Sequence, residues 1–169
     1  MEAGSALASG TVACLALGLL AAAALHDLAW RLIPNRLPAA LLACGLVLRL
    51  GEGELLPAVL AAVIVFGLSV LAWLAGGFGG GDAKLLGSTT MVVPPSQVPD
   101  LLLLTALAGG ALALLCLTLR PVVPRPAPRR PAGLFRRILR TEAWRLRRGG
   151  PLPYAVAIAS GAAATLLGA

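Results

Sequence analysis

Two aspartates in this chain stand where an acid is hard to accommodate, one in 25-LHDLAWRLIPN-35 at the end of an apolar run and one in 76-GGFGGGDAKLL-86 behind a run of glycines. An ionisable group in or beside a membrane-crossing helix costs about 2.5–3.5 kcal/mol to insert, so such residues commonly mark function. Two carboxyl groups held close together at low dielectric do not both ionise: one keeps a proton, the other carries the charge, and titration belongs to the pair. Such a pair combines a general base and a general acid. The carboxylate can take a proton from water as its oxygen attacks a peptide carbonyl, while the protonated partner donates to the carbonyl oxygen. Gly76, Gly77, Gly79, Gly80 and Gly81 suit that chemistry, because backbone without Cβ can break a helix and let an extended substrate strand approach. Read singly, Asp27 and Asp82 are also consistent with solvated helix ends, and the glycines with a plain loop.

The elements that must bring these residues together are apolar. With 59% hydrophobic and 12% charged residues in 169, and a mean hydropathy of +0.90, the chain has too little polar surface to clothe a soluble globule. The composition predicts an all-α, polytopic membrane protein forming one integral domain over 1–169, with no soluble catalytic module. Six apolar segments are expected to cross: 11–30, 37–50, 55–75, 83–93, 101–119 and 152–167. The second and fourth are short against the roughly 20 residues a crossing helix needs. The first segment follows Glu2 with no Lys or Arg before it, so it reads as a retained span and not as a cleaved secretory signal.

Basic residues orient these segments. Cytoplasmic loops collect Lys and Arg. With the N-terminus outside and every segment crossing, Arg31, Arg36, Lys84 and the ten Lys or Arg residues between Arg120 and Arg148 all fall inside, leaving only Arg49 outside with Glu2, Glu52, Glu54 and Asp100. Asp27 then follows one crossing and Asp82 follows three, so both lie on the cytoplasmic edge. The net charge of +7 is concentrated in the loop 120–150. Since that loop is flanked by apolar spans, anionic lipid headgroups are the expected partner and nucleic acid is not. Within it, 133–148 places Leu134, Phe135, Ile138, Leu139 and Leu146 on one helical stripe, predicting an in-plane amphipathic helix.

Around the two acids, Lys84 follows Asp82 by two positions and is suited either to holding that carboxylate charged or to reaching lipid headgroups. Pro34 and Asn35 form a turn that sets how the first helix hands over to the second. His26 adjoins Asp27, but neighbouring helical residues diverge by about 100°, and too few ligands exist for a metal site. Cys14, Cys44 and Cys116 sit in separate apolar segments, without ligand spacing. No metal or cofactor is expected.

An aspartate closing the first span before RLIPN, GGGDAKLL after the third, and 151-PLPYAVAIASGA-162 opening the last together resemble the prepilin peptidase family of membrane aspartyl proteases, in particular short members tied to Tad/Flp-type pilus assembly. The likeness runs nearly end to end. It implies a GxGD-type aspartyl protease architecture, Asp27 and Asp82 as the catalytic dyad, Gly79, Gly80, Gly81, Lys84, Asn35 and Pro34 as supporting residues, and a Flp-type prepilin as the substrate, cut at the cytoplasmic face of the bacterial inner membrane. Where the family usually shows glycine after Pro-Tyr, this chain has Ala155. The cysteine-rich cytoplasmic region of larger, methylating members has no counterpart, so cleavage without methyl transfer is expected. Two other readings of the acids compete: a non-enzymatic subunit of a pilus or secretion assembly in which they pair with Lys84 or Arg31, and a proton-coupled transporter, for which no inverted repeat is visible.

Overall fold

The apolar runs become helices because a backbone surrounded by hydrocarbon must satisfy its own N–H and C=O groups. The computed structural model describes residues 2–122 and 152–168, and the predicted in-plane helix at 133–148 lies outside them. Among the described residues the chain is all-helical, with six α-helices: α1 (Glu2–Trp30), α2 (Arg36–Glu52), α3 (Leu55–Leu74), α4 (Gly80–Val92), α5 (Val98–Leu119), introduced by a 3-10 turn (Pro95–Gln97), and α6 (Tyr154–Leu167). Three stretches are long and apolar enough to cross a membrane: 10–30, 55–74 and 95–119. Their outward faces carry exposed leucines such as Leu15, Leu25, Leu60, Leu71, Leu103 and Leu114. An apolar surface of that extent is stable only against lipid.

α4 is the exception in length and in surroundings. Its 13 residues span only about 20 Å, short of the roughly 30 Å of hydrocarbon. Every residue from Leu85 to Val93 is buried, because α2, α3 and α6 pack around it. Protein, not lipid, is its solvent, so it can carry Ser88, Thr89 and Thr90. Two of these hydroxyls turn back onto the preceding turn, Thr89 Oγ1 donating to the Leu85 carbonyl at 2.7 Å and Thr90 Oγ1 to that of Leu86 at 2.9 Å. Ser88 likewise donates to the Lys84 carbonyl.

α2 lies alongside α4 and runs parallel to it. At one end Asn35 meets Lys84, and at the other Arg49 Nη2 donates to the carbonyl of Val92 at 3.2 Å, satisfying one of the four carbonyls a helix C-terminus leaves open. Arg49, expected from its sequence position to be a loop-side charge, is only 2% exposed. Its guanidinium is neutralised there by Glu52 and Glu54. Between these two ends the helix backbones nearly touch: a Cβ on Gly45 would come within 2.6 Å of Met91 backbone.

The remaining helices close the wall. α1 packs on α2 and α6, and α5 packs on α6. Gly161 allows that last contact, since a Cβ there would come within 2.7 Å of the Thr105 backbone nitrogen. Ala155, at the position where glycine was expected, is fully buried and fits without one.

Gly45→Val, which forces α2 off α4, is expected to destabilise the protein by about 1–3 kcal/mol or more. Gly18→Ala, whose added methyl meets open space, should stay within about 0.5 kcal/mol of the parent. Thermal melts of the purified proteins in one detergent check both, and equal melting of the two variants would contradict the packing.

Candidate active site

Asp27 lies in the last turn of α1, and Arg31 ends the helix by donating its N–H to the Asp27 carbonyl at 2.8 Å. Arg31 then adopts φ +55°, the left-handed conformation that normally falls to glycine after a helix. The strain is about 1–2 kcal/mol. It turns the chain sharply, so that 32–35 folds back across the mouth of the helix bundle. Leu37 N–H then donates to the Pro34 carbonyl at 3.0 Å and α2 begins. The Pro34–Asn35 turn is thus the hinge between α1 and α2 that its sequence suggests.

On the other side of the site, α3 stops at Leu74, and Gly76, at φ +79°, redirects the chain. The helix break expected from the glycines falls at 75–79. Gly80 and Gly81 instead open α4, which makes Asp82 the third residue of the new helix with Gly79 as its N-cap. From that position the Asp82 carboxylate reaches back to accept a hydrogen bond from the Gly79 N–H. This is one half of a capping box, which normally satisfies the N-cap donor with a longer acidic side chain. A side chain at 79 would collide with Asp82 Oδ2, so glycine is what lets the carboxylate sit there. Gly81 has a different use: an added Cβ would press on Ile33 at 3.3 Å, so its absence lets the 32–35 segment lie close against α4.

These two constructions meet. Asp27 and Asp82, far apart in sequence, line one cleft of about 440 Å³ together with Arg31, Pro34, Asn35, Gly79, Gly80, Gly81 and Lys84. The eight site residues that the resemblance implies are all in that lining, whereas Gly76 and Gly77 are not. Asp27 is buried and Asp82 half-buried, and they lie within electrostatic reach of each other and of the Arg31 guanidinium. The cation beside the acids is therefore Arg31. Lys84 is exposed and donates from Nζ to Asn35 Oδ1 at 3.1 Å, linking the start of α4 to the turn before α2. Asn35 occupies the N-cap position of α2 but makes no side-chain cap, leaving its oxygen for that lysine. His26 turns elsewhere, donating from Nδ1 to the Leu32 carbonyl at 2.6 Å and stacking on Trp30.

Two residues were not legible as part of this site. Arg31 was weighed beside the acids only as a charge partner in a non-enzymatic role, and nothing local in its sequence signals the left-handed backbone. Tyr154, in the third motif, stands at the start of α6 within electrostatic reach of Asp82, its ring edge-on to Phe78 at 4.8 Å between centroids. Its closeness to the acid is a long-range contact between the starts of α6 and α4, which spacing does not encode.

A profile of the type IV leader peptidase family matches residues 14–114, a stretch that contains both aspartates and every residue of the cleft. Comparison with curated proteins and with solved structures gives no match.

The backbone at 31 gives a direct test. Arg31→Gly and Arg31→Ala both remove the guanidinium, but only alanine keeps the left-handed strain, so the glycine variant should be the more stable by about 1 kcal/mol. Melting temperatures decide it, and coincident melts would contradict the φ assigned to this residue.

Proposed function

The chain belongs to the type IV leader peptidase family and is a membrane protease of the leader-peptidase type, and from that premise we propose that it is an aspartyl endopeptidase that uses Asp27 and Asp82 to remove leaders from Flp-type prepilins. The observation that carries the proposal is the convergence of these two acids on a single cleft with Arg31, Asn35 and Lys84.

In this mechanism one aspartate is ionised and the other protonated. A water held between them gives a proton to the carboxylate as its oxygen bonds to the scissile carbonyl carbon, and the acid partner gives its proton to the carbonyl oxygen. The product is a neutral gem-diol. Collapse reverses the roles: a gem-diol proton returns to one carboxylate, the C–N bond breaks, and the departing nitrogen takes the proton held by the other. Burial and the charge of Asp27 oppose a second negative charge at Asp82, whereas the Arg31 guanidinium and the Gly79 N–H support a first one. This balance supports a singly protonated pair. Gly79 places no side chain beside the Asp82 carboxyl, which leaves that approach open to a substrate strand.

The proposal extends to placement. The six segments cross the bacterial inner membrane, the N-terminus lies outside, and the cleft opens to the cytoplasm, as the distribution of Lys and Arg supports. The basic loop 120–150 rests on anionic lipid of that leaflet.

Replacing either Asp27 or Asp82 with asparagine should leave membrane insertion intact and lower processing of a co-expressed Flp-type precursor by about 10²–10⁴-fold or more. Glutamate at either position should fail as well, since the longer side chain displaces the carboxyl; full processing by the glutamate variants would contradict the tight placement of the pair. Gly79→Ala, which pushes Asp82 from its cap, should lower activity by about 10²-fold. For the parent enzyme, rate against pH should fall on both sides of an optimum, on the acid side as the pair gains a second proton and on the alkaline side as it loses its only one. A rate independent of pH across the carboxylate range would contradict the dyad. The mass of the mature pilin N-terminus reports cleavage in each case.

A further inference from the structure

Beside the cleft, an apolar groove of about 490 Å³ runs between α2 and α3 on the outer surface, with α4 as its floor. Asn35 and Lys84 line both the groove and the cleft, so the one opens into the other. Polar groups are confined to that shared end and to Ser88, whose hydroxyl is already committed to the Lys84 carbonyl. An occupant therefore finds almost no hydrogen-bond partners along the groove and has to satisfy its own backbone, which makes it a helix. Ala39 and Ala62 keep the groove open to a close helix approach, in the manner of small-residue helix contacts within membranes, while Phe66 fills the space beside Gly87. Measured along α2 from Asn35 to Leu46, the groove is about 16 Å long, room for three helical turns.

A protease at a membrane edge has to hold a strand that is half in water and half in lipid. On the function proposed above the leader is the part released to water, so the apolar part of the substrate lies beyond the cut. We propose that the α2–α3 groove binds the first three turns of the apolar helix on the C-terminal side of the scissile bond, delivering the extended residues before it across Asp27 and Asp82. This rests on the leader-peptidase function proposed above and adds the substrate element that the enzyme grips. A second groove of about 300 Å³, between α3 and α5, includes Leu68, Leu102 and Tyr154. Tyr154 brings it near Asp82, but it shares no lining residue with the cleft and is the less suited of the two.

Site-directed photocrosslinking tests the assignment. The full chain carrying Asp27→Asn, in phospholipid nanodiscs, receives p-benzoylphenylalanine at Leu42 or Val63 of the first groove, at Leu68 or Leu102 of the second, or at Leu114 on the outer face of α5. The probe is a precursor made of a leader joined to an apolar segment of roughly 20 residues. Monodisperse elution selects folded variants. Positions 42 and 63 should capture the precursor several-fold more strongly than 68, 102 and 114, with the adducts mapped by mass spectrometry to the turns just after the scissile bond. Capture mainly from 68 or 102, equal capture from all positions, adducts mapping to the leader, or adducts with lipid alone at 42 and 63 would overturn the proposal. The Asp27-containing parent is assayed on the same precursor: cleavage without the expected capture refutes the docking groove alone, and absence of cleavage refutes the proposed function.

Discussion

A short helix carrying Ser88, Thr89 and Thr90 can stay inside an apolar protein only if those hydroxyls and its end groups find partners there, and much of the structure answers that requirement. The hydroxyls of α4 bond to its own carbonyls, its C-terminal carbonyl at Val92 is met by a buried arginine, and its N-cap N–H is met by Asp82 itself. Leaving one such buried group unmet costs on the order of 1–3 kcal/mol. The long helices need no such provision, because lipid accepts their leucines.

The same requirement fixes where Asp82 sits. Two polar links tie α2 to α4, Lys84 to Asn35 at the cleft and Arg49 to Val92 at the far end, with the Gly45 contact between them. A helix held at both ends against its neighbour cannot slide along its axis. Asp82 is therefore held at the height of the 31–35 turn, which the strained Arg31 backbone folds toward it and Ile33 wedges against Gly81. Catalytic pairs demand this kind of support, since misplacing a reacting group by about 1 Å can cost 10²-fold in rate.

Much of this was readable from residue order. An apolar run identifies its own helix, so α3, expected over 55–75, is found at Leu55–Leu74, and α2, expected over 37–50, extends only slightly further to Arg36–Glu52. The fourth segment was placed at 83–93 because glycines read as helix breakers, yet Gly80 and Gly81 form the first turn of α4. At a helix start their missing side chains matter more than their low propensity: Ile33 takes the space beside Gly81, and Trp73 packs against Gly80. Asp27 and Asp82 could be paired before any coordinates because a buried acid is improbable unless it has a use. Contacts made across the fold were beyond the reach of residue order. Arg49 looks like an ordinary surface charge until α4 ends beside it, and Tyr154 acquires a neighbouring carboxylate only when the start of α6 packs near the start of α4.

The proposed chemistry depends on Asp27 and Asp82 behaving as one titrating unit. Infrared difference spectroscopy of the 13C-aspartate-labelled protein in nanodiscs, followed across pH, reads their carboxyl bands directly, with Asp27→Asn and Asp82→Asn identifying which bands belong to the pair. The parent should show two well-separated protonation steps for these groups, and Asp27→Asn should leave a single step at a different pH from either. If Asp82 instead titrates at the same pH whether or not Asp27 is present, the carboxyls do not share a proton and this catalytic mechanism is wrong.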